Sequence, residues 1–370
     1  MDYSEVLDIG TLLAPISDSS PVGADPRDDI SPTSRYFTLK DVRNQARANE
    51  RAALVDDDLV SSVFNDWRPI AEQIPEALTN ECKDLEYAAW LIEALCRLEG
   101  FSGLAAAFRL TRELIENYWD SIYPLPDEDG LETRIAPIIG LNGYDGEGSL
   151  ITPIVSIPIT PSNGEQAYAT WQYTRAAEIA LLDEEKQRQK ADSGIATLEE
   201  IESVIKETPI DFYQNLVADL QSAIDEFKLL SDAMDAAMSG TPQPTSMISK
   251  SLAKCYEAIR YFVGDRLDQA VAENEESLEV VEDEDGDASS AGTVVSQVPK
   301  KLETRDQAIR MLKEVSDFFH KTEPHSPMPY AIDQVVRWSG LSLPELLQEL
   351  IDDGGSRNQY FRLTGIPVGE

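Results

Sequence analysis

The stretch from Lys83 to Arg134 limits this chain more than any other. Between Asp84 and Leu98, the residues Leu85, Ala88, Ala89, Ile92, Leu95 and Cys96 recur at the helical period. Trp90, Leu91 and Leu98 widen the apolar arc beyond one stripe, so this helix needs cover on more than one side. Glu99-Gly100-Phe101-Ser102-Gly103 breaks the pattern, and Gly100 suits a left-handed C-terminal cap. A second helix is expected from Leu104 to Trp119, where Ala105, Ala106 and Ala107 let a partner helix approach closely. Tyr118-Trp119 and Tyr123-Pro124 make an aromatic and proline knot, and Pro124 and Pro126 end any helix. Arg134 follows the acidic run Asp127-Glu128-Asp129 and is expected to pair with it. The stretch offers a large apolar surface and no catalytic group.

The flanking sequence reads as mainly helical, an all-α chain of several helical bundles. Pro15, Pro21, Gly23 and Pro26 make residues 1–30 an extended arm. Helices are expected over 34–50 and 67–78, the second with Pro75 as a kink or stop. The residues near 149–161 are rich in β-branched side chains and interrupted by Pro153, Pro158 and Pro161, so they read as a short β-like extended segment. Residues 1–164 are taken as one helical domain. Residues 165–273 are taken as a middle helical-hairpin region, with narrow stripes such as Phe212, Leu216, Leu220, Ile224, Phe227 and Leu230. Residues 274–299 read as an acidic linker, because Glu273–Asp287 carries nine acidic residues and no Lys or Arg. Residues 300–370 read as three short helices, the first opened by a capping box at Thr304 and Gln307, the third by one at Ser342 and Glu345. A module of that size has too little core to be stable alone and is expected to oligomerise.

Composition excludes several functions. A net charge of −37 repels nucleic-acid phosphates and anionic lipid headgroups. The three cysteines, Cys82, Cys96 and Cys255, form no Cys-x-x-Cys pair and are expected as buried free thiols of a cytoplasmic protein. No apolar run approaches the ~20 residues of a membrane span. His320, Glu323 and His325 lie close together, but their spacing matches no familiar zinc motif, and a structural turn is the better reading. Asp283, Asp285 and Gly286 fail as a calcium loop, since Val281 and Gly292 fall where the first and last ligands belong. No phosphate-binding glycine loop, dinucleotide fingerprint or nucleophile elbow is present. No cofactor, metal or catalytic residue is expected.

Two separated regions resemble the TssA (ImpA-type) proteins of bacterial type VI secretion systems. The first carries the arm, Trp67, Asp84, Leu85, Trp90, Gly100, Gly103, Tyr118, Trp119, Pro124 and Arg134. The second carries Phe318, Phe319, Glu323, Pro324, His325, Ser326, Pro327, Tyr330, Arg337 and Trp338, and is similar to the short C-terminal domain of a branch associated with the baseplate. The resemblance implies a non-enzymatic assembly factor that helps start or coordinate tail tube and sheath assembly at the baseplate. It implies a homo-oligomeric ring through the C-terminal domain and a mobile N-terminal recruiting domain. The expected partners are baseplate, sheath and tube proteins. The expected location is cytoplasmic, recruited to an inner-membrane-docked complex. The competing readings are an acidic cytoplasmic adaptor or chaperone for basic proteins, and a His/Glu metal enzyme.

Overall fold

The computed structural model describes residues 5–55, 60–128, 130–144, 146–162, 167–279, 305–322 and 328–338. The chain divides into two compact units, Met1–Asp285 and Gly286–Glu370. It is mainly helical, and the described residues contain isolated β-bridges but no sheet.

In the first unit, α1 (Ile9–Leu13) is capped by Asp8, and α2 (Arg35–Val55) follows the arm. A 3-10 helix, Val60–Trp67, leads into α3 (Arg68–Asn80). The latter runs through Pro75 to Asn80 and does not stop there. Next come α4 (Leu85–Leu98) and α5 (Gly100–Tyr118), the hairpin expected from periodicity. Asp84 stands at the N-cap of α4 in extended conformation, and its carboxylate accepts from the amides of Glu86 and Tyr87 at 2.8 and 2.9 Å. Every residue of α4 from Tyr87 to Arg97 is buried. At roughly 1.5–3 kcal/mol for each large apolar side chain, this helix is a main source of the unit's stability. Gly100 adopts φ +61°, the left-handed geometry that lets α5 start one residue after the α4 C-cap. At Gly103 an added Cβ would lie 2.5 Å from the Leu95 carbonyl, so only glycine permits this corner.

Then follow α6 (Glu132–Asn142), α7 (Ile151–Ser156), α8 (Thr170–Ala180), α9 (Glu184–Asp192), α10 (Leu198–Glu207), α11 (Ile210–Ala237) and α12 (Ser246–Glu279). A capping box opens α10, with Thr197 and Glu200 exchanging hydrogen bonds. The narrow stripe of α11 is satisfied within the same chain: α11 lies along α5, with Phe108 and Phe227 ring centroids 4.9 Å apart. Asn142, at the end of α6, is buried and accepts the Met247 and Ile248 amides at the start of α12.

The segment near 149–161 is not simply extended: it forms α7, with Pro153 in the first helical turn, where its missing N–H is not needed. Only beyond Ile157 does the chain extend, through one bridge between Pro158 and Ala169. One core cluster of buried residues runs from Leu7 to Leu267. Residues 274–279 belong to α12, while 280–299 lie outside the described residues.

The second unit contains α13 (Arg305–Thr322) and α14 (Met328–Trp338), packed as a hairpin. Ser316 is buried and donates to the Pro329 carbonyl at 3.1 Å and to Asp333 at 2.6 Å, fixing the two helices together. Thr304 and the helix expected near 342–351 lie outside the described residues.

Candidate functional site

The contact between α2 and α4 is polar along its length. Glu86, Trp90, Glu93 and Arg97 follow one another at four- and three-residue steps, which places them on one helix face. Facing them on α2 are Tyr36, Arg43, Arg47 and Glu50. The Tyr36 hydroxyl donates to Glu86 at 2.9 Å, and its ring stacks on Trp90 with centroids 5.5 Å apart. The Arg43 guanidinium lies over Trp90 and donates to Glu93 at 2.6 Å. Arg47 donates to the other Glu93 oxygen at 3.0 Å. Arg97 forks onto both Glu50 oxygens, and its guanidinium sits 3.9 Å from the Trp67 ring centre. Trp67 Nε1 donates to the same Glu50 carboxylate at 2.8 Å. Complete burial pushes the Glu93 carboxyl upward, but Arg43, Arg47 and Arg97 outweigh that and hold it below the usual carboxylate value.

A second cluster clasps the arm. Lys83 is buried and donates Nζ to the Leu12 carbonyl at 2.7 Å and to the Leu78 carbonyl at 2.5 Å. Burial lowers its pKa to about 8. Arg27 bridges Asp25, Asp84 and Glu86 at 2.8–3.0 Å. Tyr118 donates to the Leu13 carbonyl at 2.6 Å. Arg134 is positioned by backbone carbonyls, contrary to the expected pairing with the acidic run. It donates to the Trp119 carbonyl and, at 3.1 Å, to that of Pro124, and lies over the Trp119 ring.

The motif residues of the first unit are therefore framework. Trp67, Asp84, Leu85 and Trp90 are fully buried, Gly100 and Gly103 make the corner, and Tyr118, Trp119, Pro124 and Arg134 fasten its far end. Sequence reasoning missed Arg43, Arg47, Glu50, Glu93 and Arg97. The one signal was spacing: Arg43 and Arg47 on α2 repeat the four-residue step of Glu93 and Arg97 on α4. These groups bind one another, and none stands beside an activated nucleophile. The three thiols are buried, and burial pushes Cys96 to about 12 and Cys255 to about 11, so they stay protonated. Among the described residues no cluster has the makings of a metal site.

In the second unit, Phe318 and Tyr330 are exposed and Phe319 and Trp338 half-buried. Arg337 is also exposed. His320 pairs with Asp333 at 3.1 Å and abuts the Tyr330 ring. Glu323, Pro324, His325, Ser326 and Pro327 lie outside the described residues.

Comparison with known proteins places this framework. Residues 13–143 match the family model described as ImpA, N-terminal, type VI secretion system. Over 365 residues the chain is 24% identical to the type VI secretion system component TssA1 of Pseudomonas aeruginosa, covering 96% of this chain and 98% of that protein. The chain is thus similar to TssA proteins of type VI secretion systems over nearly its whole length. A solved structure of the N-terminal domain of the TssA component from Burkholderia cenocepacia shares the fold, with a TM-score of 0.57 and 24% identity. That match covers 72% of this chain and 95% of the other, so the shared fold is longer than the 13–143 segment. The continuous core through α11 and α12 is the physical counterpart.

Proposed function

We propose that this protein is a non-enzymatic assembly component of a bacterial type VI secretion system. In this reading it acts in the cytoplasm, at the baseplate docked to the inner-membrane complex, and helps start tail tube and sheath assembly. The first unit recruits baseplate, sheath or tube proteins, and residues 300–370 hold copies together in a ring. The reading rests chiefly on the near full-length alignment with TssA1. Two structural features support it. In the first unit Arg43, Arg47, Arg97, Glu50 and Glu93 are spent on holding its own helices. By contrast, α13–α14 leaves Leu312, Val315, Phe318, Tyr330 and Val335 exposed, and 312, 315 and 318 fall at helical steps. Among the described residues no helix is long and apolar enough to cross a membrane.

The test is capture of purified tube, sheath and baseplate proteins by the full chain and by its two units separately. Retention of a baseplate, sheath or tube protein by the first unit supports the recruiting role, and failure of the full chain to retain any of them overturns it. Light scattering of a chain lacking residues 300–370 tests the ring: an unchanged oligomeric mass refutes it.

A further inference from the structure

A cavity of about 270 Å³ opens where the α2–α4 contact meets α7. Its walls include Arg47, Glu50, Arg51, Arg97, Glu147 and Ser149. Arg97 is fully used by Glu50 and the Glu93 carbonyl. Arg47 gives Nε and Nη2 to Glu93, which leaves its Nη1 edge without an acceptor among the described residues. Arg51 is exposed and makes no ion pair among the described residues. The Ser149 hydroxyl is cut off from solvent yet has no hydrogen-bond partner there. A buried hydroxyl without a partner is a cost the fold would not carry unless something completes it.

The local charges do not balance. Among the described residues that line the cavity, Arg47, Arg51 and Arg97 face Glu50 and Glu147, a surplus of one positive charge on a chain of net charge −37. Arg47 feels this surplus. Burial first, and then the like charges of Arg43 and Arg97, bring its pKa below the ordinary value despite the attraction of Glu93. One negative charge restores neutrality, whereas a dianion would place its second charge against Glu50 and Glu147.

We propose that this cavity is a carboxylate-binding site, holding one monoanionic carboxylate between Arg51, the open edge of Arg47 and Ser149. The carboxylate comes from a free small acid or from an Asp or Glu side chain inserted by a partner, and the experiment separates these. The full-length chain is titrated with acetate, with end-blocked glutamate and with inorganic phosphate, following the backbone amide resonances of Arg51, Gly148 and Ser149. Saturable shifts with the carboxylates are expected, weakened about tenfold by Arg51→Gln, the loss typical of one charge-assisted hydrogen bond. Tighter binding of blocked glutamate than of acetate indicates an inserted side chain, and equal binding indicates a free acid. Shifts that never saturate, shifts unaffected by Arg51→Gln, or tighter binding of dianionic phosphate would each overturn the proposal.

Discussion

Arg97→Met tests how much the α2–α4 contact contributes. The wild-type guanidinium side chain is 1% exposed and its Glu50 partner 10% exposed, so the pair sits out of reach of screening. Methionine fills much of the same space and keeps a contact with the Trp67 ring, replacing the cation–π interaction of ~1–2 kcal/mol with a sulfur contact of roughly half that. The larger loss is electrostatic. Glu50 is left buried with only Trp67 Nε1 as a donor, and stranding one partner of a buried pair costs about 3–5 kcal/mol. That is a large fraction of the roughly 5–15 kcal/mol that stabilises a typical folded unit. The second variant, Arg97→Met with Glu50→Gln, removes the stranded charge while preserving an acceptor for Trp67. It should recover to within about 1–2 kcal/mol of wild type, since neutral replacements of buried pairs are commonly tolerated. Urea unfolding of the full chain, followed by far-ultraviolet circular dichroism, reads both. An Arg97→Met loss under about 1 kcal/mol, the size of an exposed pair, would refute the reasoning. So would a double variant no more stable than the single one.

Gly103→Ala should destabilise the first unit by about 1–3 kcal/mol, because its Cβ meets the Leu95 carbonyl, and the same urea experiment measures it. Lys83 gives a pH dependence. Its folded pKa is lowered to about 8 by burial, so above that value the unfolded chain binds a proton that the folded chain does not. Its contribution to stability therefore rises from pH about 8 until the unfolded lysine value near 10.4 is passed, and the rise should vanish in Lys83→Met. Phe318→Ser with Tyr330→Ser should lower the oligomeric mass seen by light scattering while leaving helix content unchanged, and an unaltered mass would count against the α13–α14 surface as an assembly face.

The hairpin could be read from the sequence because its apolar residues keep the helical period and Gly100 supplies the one backbone geometry that the corner needs. The capping box at Thr197 was legible for a similar reason: its partner lies three residues away. What escaped was set by distant partners. Glu93 and Arg97 look like the solvated face of an amphipathic helix until α2, about fifty positions earlier, supplies Arg43, Arg47 and Glu50. Residues 149–161 have the composition of a strand, but packing against α12 and α4 makes the first half helical. The stripe of α11 finds its cover on α5, which no local pattern could announce. The open side chains of Arg47, Arg51 and Ser149 meet only in three dimensions.

The short link between α3 and α4 is held from both sides. The Lys83 amide donates to the Val22 carbonyl at 2.8 Å, the Leu85 amide to the Tyr123 carbonyl at 2.7 Å, and the Tyr123 amide to the Lys83 carbonyl at 3.1 Å. Segments about sixty and forty residues away in sequence thus stitch one spot in the core, and none of these bonds can open while the arm, the α4 start and the aromatic knot stay in place. Local fraying has no route to them. In deuterated water, the amide protons of Lys83, Leu85 and Tyr123 should exchange only when the whole first unit opens. Their exchange rates therefore serve as a built-in clock for global unfolding, readable in the intact protein without denaturant.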